Sequence, residues 1–207
     1  MARAARRHEP DDARERARLQ VDERRAQLLE LGLRLFSERS YDELSIDDIA
    51  QAAGISKGLL YHYFSSKRDF YAATVRRAAE LLLQRTDTGE GADPAALLAA
   101  LDAYLSFAEE HASAYVALMR SGVGHDAEVA AIVEDTRTRL VARLASRLGL
   151  AELTPRVRLA LRGWVGFVEG SSLDWLARRD LPRDELRDLL AHMLLATLVA
   201  AGETPTQ

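Results

Sequence analysis

Residues 45–67 read Ser-Ile-Asp-Asp-Ile-Ala-Gln-Ala-Ala-Gly-Ile-Ser-Lys-Gly-Leu-Leu-Tyr-His-Tyr-Phe-Ser-Ser-Lys. Two short helical segments flank a turn at Gly54, a position suited to a backbone conformation that other residues resist. Ser45 caps the first segment, and Asp48 three residues on completes a capping box with Asp in place of Glu. Small Ala50 and Ala53 permit close helix packing. Ser56 caps a very short second segment ending near Phe64, which Ile55, Leu60 and Phe64 anchor from behind. Lys57, Leu59, Tyr61 and His62 are left projecting, with Gly58 among them and almost no acid beside them in sequence. A braced helix, a sharp turn and a short basic-aromatic helix make the pattern of a helix-turn-helix that enters a DNA groove.

Outward from this stretch the chain keeps a helical rhythm. Upstream, Asp22 is placed to cap a helix through about Arg39, with Leu28, Leu31, Leu35 and Phe36 on one face. Residues 1–21 are Arg-rich and lack an apolar pattern at their start. They read as a flexible arm, either a solvated tail or a basic segment that touches phosphates or a minor groove. Downstream, Ser66 with Asp69 opens a fourth helix to about Arg85. A loop follows from Thr86 to Asp93, with Gly89 and Gly91 in it. Asp93-Pro94 starts a helix to about Glu110. The next runs through Tyr115 and Met119 to a break at Gly122 to Gly124. Another spans Ala127 to Leu148, and Thr154-Pro155 starts a long one to Arg179. Leu181-Pro182 opens the last, which stops near Gly202. Nine helices and no strand predict an all-α fold in three parts: a flexible arm 1–21, a helix-turn-helix domain 22–68, and a helical domain 69–207.

Composition narrows the function. Of 207 residues, 48% are apolar, enough for a substantial core, and none is cysteine, which excludes disulfides, thiol catalysis and cysteine-ligated zinc. The net charge of −4 is uneven: residues 1–77 carry 15 Lys+Arg against 13 Asp+Glu, whereas residues 78–207 carry 13 against 19. Only the front of the chain is suited to a polyanion. No apolar run is long enough to span a bilayer and no signal-peptide stretch leads the chain, so a cytoplasmic protein with no membrane partner is expected. No catalytic spacing and no phosphate-binding glycine loop is present, and no enzyme and no cofactor are expected. His111, His125 and Glu109 or Glu110 are the one conceivable metal set, and no metal is expected.

These residues resemble the N-terminal domain of the TetR-type bacterial transcriptional regulators. The resemblance covers about residues 24–71 and rests on Leu35-Phe36, Ser45, Ile49-Ala50, Ala53-Gly54-Ile55-Ser56, Gly58, Leu60-Tyr61, Tyr63-Phe64 and Lys67. Ser40 stands before Tyr41 where that family often has glycine. Tyr63 takes the place of its frequent histidine, with His62 one position earlier. The resemblance implies that Lys57, Gly58 and Leu59 face the major groove, Leu59 against a thymine methyl. It also implies that Tyr61 and His62 reach phosphate or sugar, and that Ser45 and Lys67 hold phosphates at helix starts.

For the remaining two-thirds, the resemblance implies dimerisation and a small-molecule effector whose binding lowers affinity for a palindromic double-stranded DNA operator, as in a repressor. A regulator without such an effector, controlled by a partner or acting as an activator, is the first alternative, and an all-helical enzyme with a fortuitous motif is the second. Tyr104, Phe107, Tyr115, Met119, Trp164, Phe167, Ser171 and Trp175 are candidates to line a ligand pocket, or else pack as plain core. Gly163, Gly166 and Gly170 are costly in a helix and mark either close helix approach or space for a ligand. Leu189, Leu190, Met193, Leu194 and Thr197 on the last helix are expected in a homodimer interface. Effector charge stays open, with Arg120 and Arg162 suited to an anion and Glu109 and Glu169 to a cation.

Overall fold

The computed structural model describes residues 9–89, 93–122, 126–150 and 153–203, with backbone alone at 9–18 and 121–122. Among them lie nine α-helices and no strand: α1 Glu9–Glu38, α2 Ile46–Ala52, α3 Lys57–Tyr63, α4 Lys67–Arg85, α5 Pro94–Glu110, α6 Ala112–Ala117, α7 Ala127–Arg147, α8 Pro155–Arg178 and α9 Arg183–Ala201. The chain forms two compact units, dividing between Thr74 and Val75, inside α4.

Two expectations about the first helix change. It begins at Glu9, so Asp22 is interior and residues 9–21 of the expected arm are helical; residues 1–8 lie outside the described residues. Its buried face is Leu28, Leu29, Leu33 and Phe36, with Leu31 and Leu35 only partly covered. The face is set by Gly32. A Cβ there would sit 2.5 Å from Thr74 Oγ1 and 2.8 Å from Phe70 Cζ, so α1 and α4 meet at a distance only glycine allows. Around that contact, Leu44, Ile49, Leu60, Phe64 and Phe70 form the core of the first unit. Phe64 meets Phe70 edge to face at 4.9 Å, the arrangement ring quadrupoles favour.

In the second unit, α8 packs on α7 and α9, and α9 also packs on α5. Thr154 and Asp93 cap α8 and α5 through their side chains, each followed by proline at the first turn. Both tryptophans of α8 are buried with their N–H groups satisfied: Trp164 Nε1 donates to Leu190 O at 2.9 Å and Trp175 Nε1 to Leu181 O at 2.7 Å. Leu190 and Leu194 are fully buried against this layer. That corrects their expected place in a dimer interface, because i, i+4 spacing turns them toward the protomer's own core. The helix expected through Met119 shifts from α6 into a π-helical turn, Leu118–Gly122; Gly124 lies outside the described residues.

Candidate nucleic-acid interface and effector cavity

The helix-turn-helix is built by local hydrogen bonds that the sequence specifies. Ser45 Oγ accepts from Asp48 N–H at 3.1 Å, while Asp48 Oδ2 accepts from Ser45 N–H at 2.8 Å, closing the capping box. Those bonds hold the Asp48 carboxyl below its usual range. After α2, Gly54 adopts φ +64°. The N–H of Gly54 donates to Gln51 O and that of Ile55 to Ala50 O, both at 3.1 Å, a Schellman ending that redirects the chain. Ser56 Oγ then accepts from Leu59 N–H at 3.1 Å and starts α3. Arg24 of α1 donates to Ala53 O at 3.3 Å and braces the turn.

This frame separates α3 into two faces. Leu60 is buried, and Lys57, Gly58, Leu59, Tyr61 and His62 are exposed together. Tyr63 is half-buried and meets His62 edge to face. Leu59 at 41% and Tyr61 at 45% exposure are large apolar surfaces that the first unit leaves in water. Gly58 behaves unlike Gly32: a Cβ there would find only Ser56 Oγ, 4.0 Å away. The first unit has no packing need for glycine at 58, so the missing side chain leaves room for something that approaches from outside.

The charges on this face are partly engaged. Lys57 Nζ pairs with Asp47 Oδ2 at 2.9 Å, and the hydrogen bond to that carboxylate raises the lysine's pKa. Asp47 on α2 was not singled out in the sequence, because ten residues separate it from Lys57. Lys67 Nζ sits 4.1 Å over the Tyr41 ring, which holds the ammonium in place without neutralising it. Ser45, by contrast, is committed to Asp48.

In the second unit the expected pocket residues separate into three places. Tyr104, Phe107, Tyr115 and Met119 line one cavity, with Leu118 of the π-helical turn and the Arg137–Glu169 pair. Tyr104 and Trp164 line a second cavity between α5, α7 and α8. The two cavities share Tyr104 and Leu140 as common wall. Phe167, Ser171 and Trp175 lie instead along an open groove with Gly166, Gly170 and Leu189.

Both cavities are mostly apolar, and the tyrosines and the Arg137–Glu169 pair in their walls are hydrogen-bonded within the protein. Tyr104 and Tyr115 share a hydrogen bond of 2.7 Å between hydroxyls. Burial pushes both phenols up, Tyr115 to about 12, so both keep their protons at neutral pH. Arg137 makes two 2.8 Å hydrogen bonds to Glu169, a fork on a carboxylate. Of the other groups considered for effector charge, Arg162 pairs with Glu134 at 3.0 Å and Glu109 with Arg179 and Arg183. The His111 ring lies tilted against Phe107, centroids 4.7 Å apart, and His125 lies outside the described residues.

The outer sides of α8 and α9 are apolar and exposed. Leu159, Phe167, Leu189, Met193, Leu195 and Val199 all face solvent. A Cβ at Gly163 or Gly170 would meet nothing within 4 Å, so these glycines serve no close approach inside the protomer. Thr197 is half-buried, with its hydroxyl donating back to Met193 O.

Comparison with known proteins agrees with both units. Residues 28–74 match the family model for bacterial regulatory proteins of the tetR family, and residues 94–200 match the tetracyclin repressor-like C-terminal domain. The HTH-type transcriptional activator FasR of Mycolicibacterium smegmatis is 34% identical over 177 residues, 81% of this chain and 78% of that protein. The repressor KstR2 of Mycobacterium tuberculosis is 41% identical over 66 residues, 32% of this chain and 33% of its own. A crystal structure of a tetR-family transcriptional regulator from Streptomyces coelicolor superposes with TM-score 0.81 at 38% identity, covering 87% of this chain and 82% of that one. Family and relatives alike are transcriptional regulators rather than enzymes. A reader motif and a helical second unit that match the same family over most of their lengths lead to one conclusion: this chain belongs to the TetR family of bacterial transcriptional regulators.

Proposed function

We propose that this regulator is a homodimer whose two copies of α3 enter successive major grooves of a palindromic operator, and that a small molecule in the second unit controls the fit. It works in the cytoplasm, and among the described residues no helix is long and apolar enough to cross a membrane. The observation that carries the reading is the exposed set Lys57, Gly58, Leu59, Tyr61 and His62 on a helix otherwise anchored by buried Leu60. Lys57 and Leu59 read base edges, Gly58 lets the backbone approach, and Tyr61, His62 and Lys67 hold the sugar-phosphate backbone. Ser45 shapes the frame through its cap.

The dimer forms through the exposed faces of α8 and α9. Leu189, Met193 and Thr197 lie there with Phe167, and Gly163, Gly166 and Gly170 let the partner's helix approach. Two-fold symmetry then sets the readers about 34–36 Å apart, one turn of duplex. Ligand-driven release of the operator, and hence repression, is the proposed sign. A second reading, activation, is favoured by the name of the M. smegmatis relative, which spans 81% of this chain. A promoter fusion assayed with and without the regulator separates the two signs.

The direct test replaces Tyr61 and Lys67 together by Ala. Affinity should fall for every duplex, by tenfold or more at low salt, with a shallower salt dependence. An unchanged affinity removes α3 and the start of α4 from the interface.

A further inference from the structure

The effector reading leaves the chemical class of the ligand open. From the cavity between α5, α7 and α8 we infer that the ligand is an amphiphile, an apolar chain ending in an oxyanion, with the anion held by Arg143 and Arg147. The inference rests on the proposal that this unit binds an effector.

The walls supply no free hydrogen-bonding group. Leu97, Leu101, Leu144, Val165 and Val168 are carbon surface. The polar atoms among them are already used inside the protein: Thr86 Oγ1 donates to Leu82 O at 2.8 Å, Tyr104 is bonded to Tyr115, and Trp164 Nε1 donates to Leu190 O. A polar body would lose water there and gain no partner, which costs more than any one contact returns.

The rim is different. Arg143 and Arg147 stand at i, i+4 on α7 and both line the cavity. Like charges one turn apart repel. Arg143 Nη1 donates to Leu83 O and Arg147 Nη2 to Gly89 O, both neutral carbonyls. Arg143 Nη2 also pairs with Asp87 Oδ2 at 3.8 Å. Arg147 Nε is buried with no hydrogen-bond partner among the described residues. A cation near the end of α7 is favoured by the helix dipole, but that accounts for a guanidinium in water, not for a buried unpaired N–H. The carbonyls fix both guanidiniums in direction, and among the described residues Asp87 is the one carboxylate paired with them. A carboxylate or phosphate at the rim meets the two guanidiniums with charge-assisted hydrogen bonds. The chain lies behind it along the apolar walls, with the second cavity beyond Tyr104 and Leu140.

The test is calorimetry on the full-length protein with dodecanoate, dodecyl phosphate and dodecanol, each below its micellar concentration. The anions should bind tenfold or more tighter than the alcohol, as charge-assisted hydrogen bonds require. Shortening the chain from twelve carbons to eight should weaken binding about fourfold per methylene (about 0.8 kcal/mol). The tighter of carboxylate and phosphate identifies the head group. Arg147→Gln, and separately Arg143→Gln, should bring anion affinity down to that of the alcohol while alcohol binding stays, which shows that the variants are folded. Equal binding of anion and alcohol, equal loss of both in the variants, or no binding of any probe overturns the inference. Duplex release is read separately. Anion binding that leaves the duplex bound supports the subsite and overturns effector control. Release of the duplex by compounds indifferent to both arginines supports effector control and overturns the subsite.

Discussion

The first unit exposes the side chains assigned to binding and buries their support, whereas the second unit buries its candidate binding groups and exposes the surface assigned to pairing. Gly32 and Gly58 show the difference at the scale of one residue. Gly32 is glycine because Phe70 and Thr74 leave no space for a Cβ, whereas a Cβ at Gly58 would meet only Ser56 Oγ, 4.0 Å away. One is fixed by the fold, the other is free of it. In this molecule a residue without a structural reason, set on a rigid local frame, is the best pointer to what docks from outside.

The largest expected effect breaks that comparison if it fails. Gly32→Leu should destabilise the first unit by about 2–3 kcal/mol or prevent its folding, measured by urea unfolding, because overpacking cannot relax against α4. Gly58→Ala should leave stability the same or slightly raised, since alanine is the better helix former, and should weaken operator binding. Equal losses of stability at both positions would erase the distinction between scaffold and reader.

Next in size is the pairing surface. Gly170→Leu should shift the protein from dimer to monomer in analytical ultracentrifugation with its helical content intact, because nothing in the protomer touches that position. A stable dimer in this variant would move the interface elsewhere.

A smaller effect sharpens the account of α3. Asp47 holds Lys57 by a 2.9 Å ion pair and places a negative charge on the face proposed for DNA. Asp47→Asn should raise affinity for random duplex several-fold, with a steeper salt dependence, and narrow the gap between operator and random sequence. No change in either affinity would make the pair an ordinary surface contact.

The smallest effect belongs to the buried tyrosines. Their protonated forms are favoured in the folded state, so their contribution is intact below pH 10 and is lost as the pH climbs through the folded value, about 12 for Tyr115. Melting temperature should therefore fall between pH 10 and pH 12, and fall less in Tyr115→Phe. An equal fall in both proteins would place the alkaline sensitivity in other groups.

The contrast also explains what was legible in sequence. The frame of the reader is made by contacts within a few residues: the Ser45–Asp48 box, the Gly54 turn and the Ser56 cap. Each leaves a local signature. The start of α1 does not, because nothing near Glu9 resembles a cap and the apolar pattern begins only near Leu28. The cavities are assembled from residues between Val75 and Glu169, and spacing along one helix cannot tell a wall from a core. Hence Tyr104, Phe107, Tyr115, Met119 and Trp164 line cavities, Phe167, Ser171 and Trp175 line an open groove, and no local pattern marks Arg143 and Arg147. Leu190 and Leu194 were misplaced for a related reason. The ninth helix is apolar on two sides, and hydropathy alone does not say which side faces its own core.

Selection of bound sites from a random duplex library, run with the native protein and with Lys57→Ala and Leu59→Ala, tests the central claim most directly. The account predicts a palindrome enriched by the native protein, with half-site centres about one duplex turn or a multiple apart. It also predicts altered base preference at defined half-site positions in each variant, by about 1–3 kcal/mol. Recovery of the same site with the same preferences by all three proteins, or of no site at all, would contradict it.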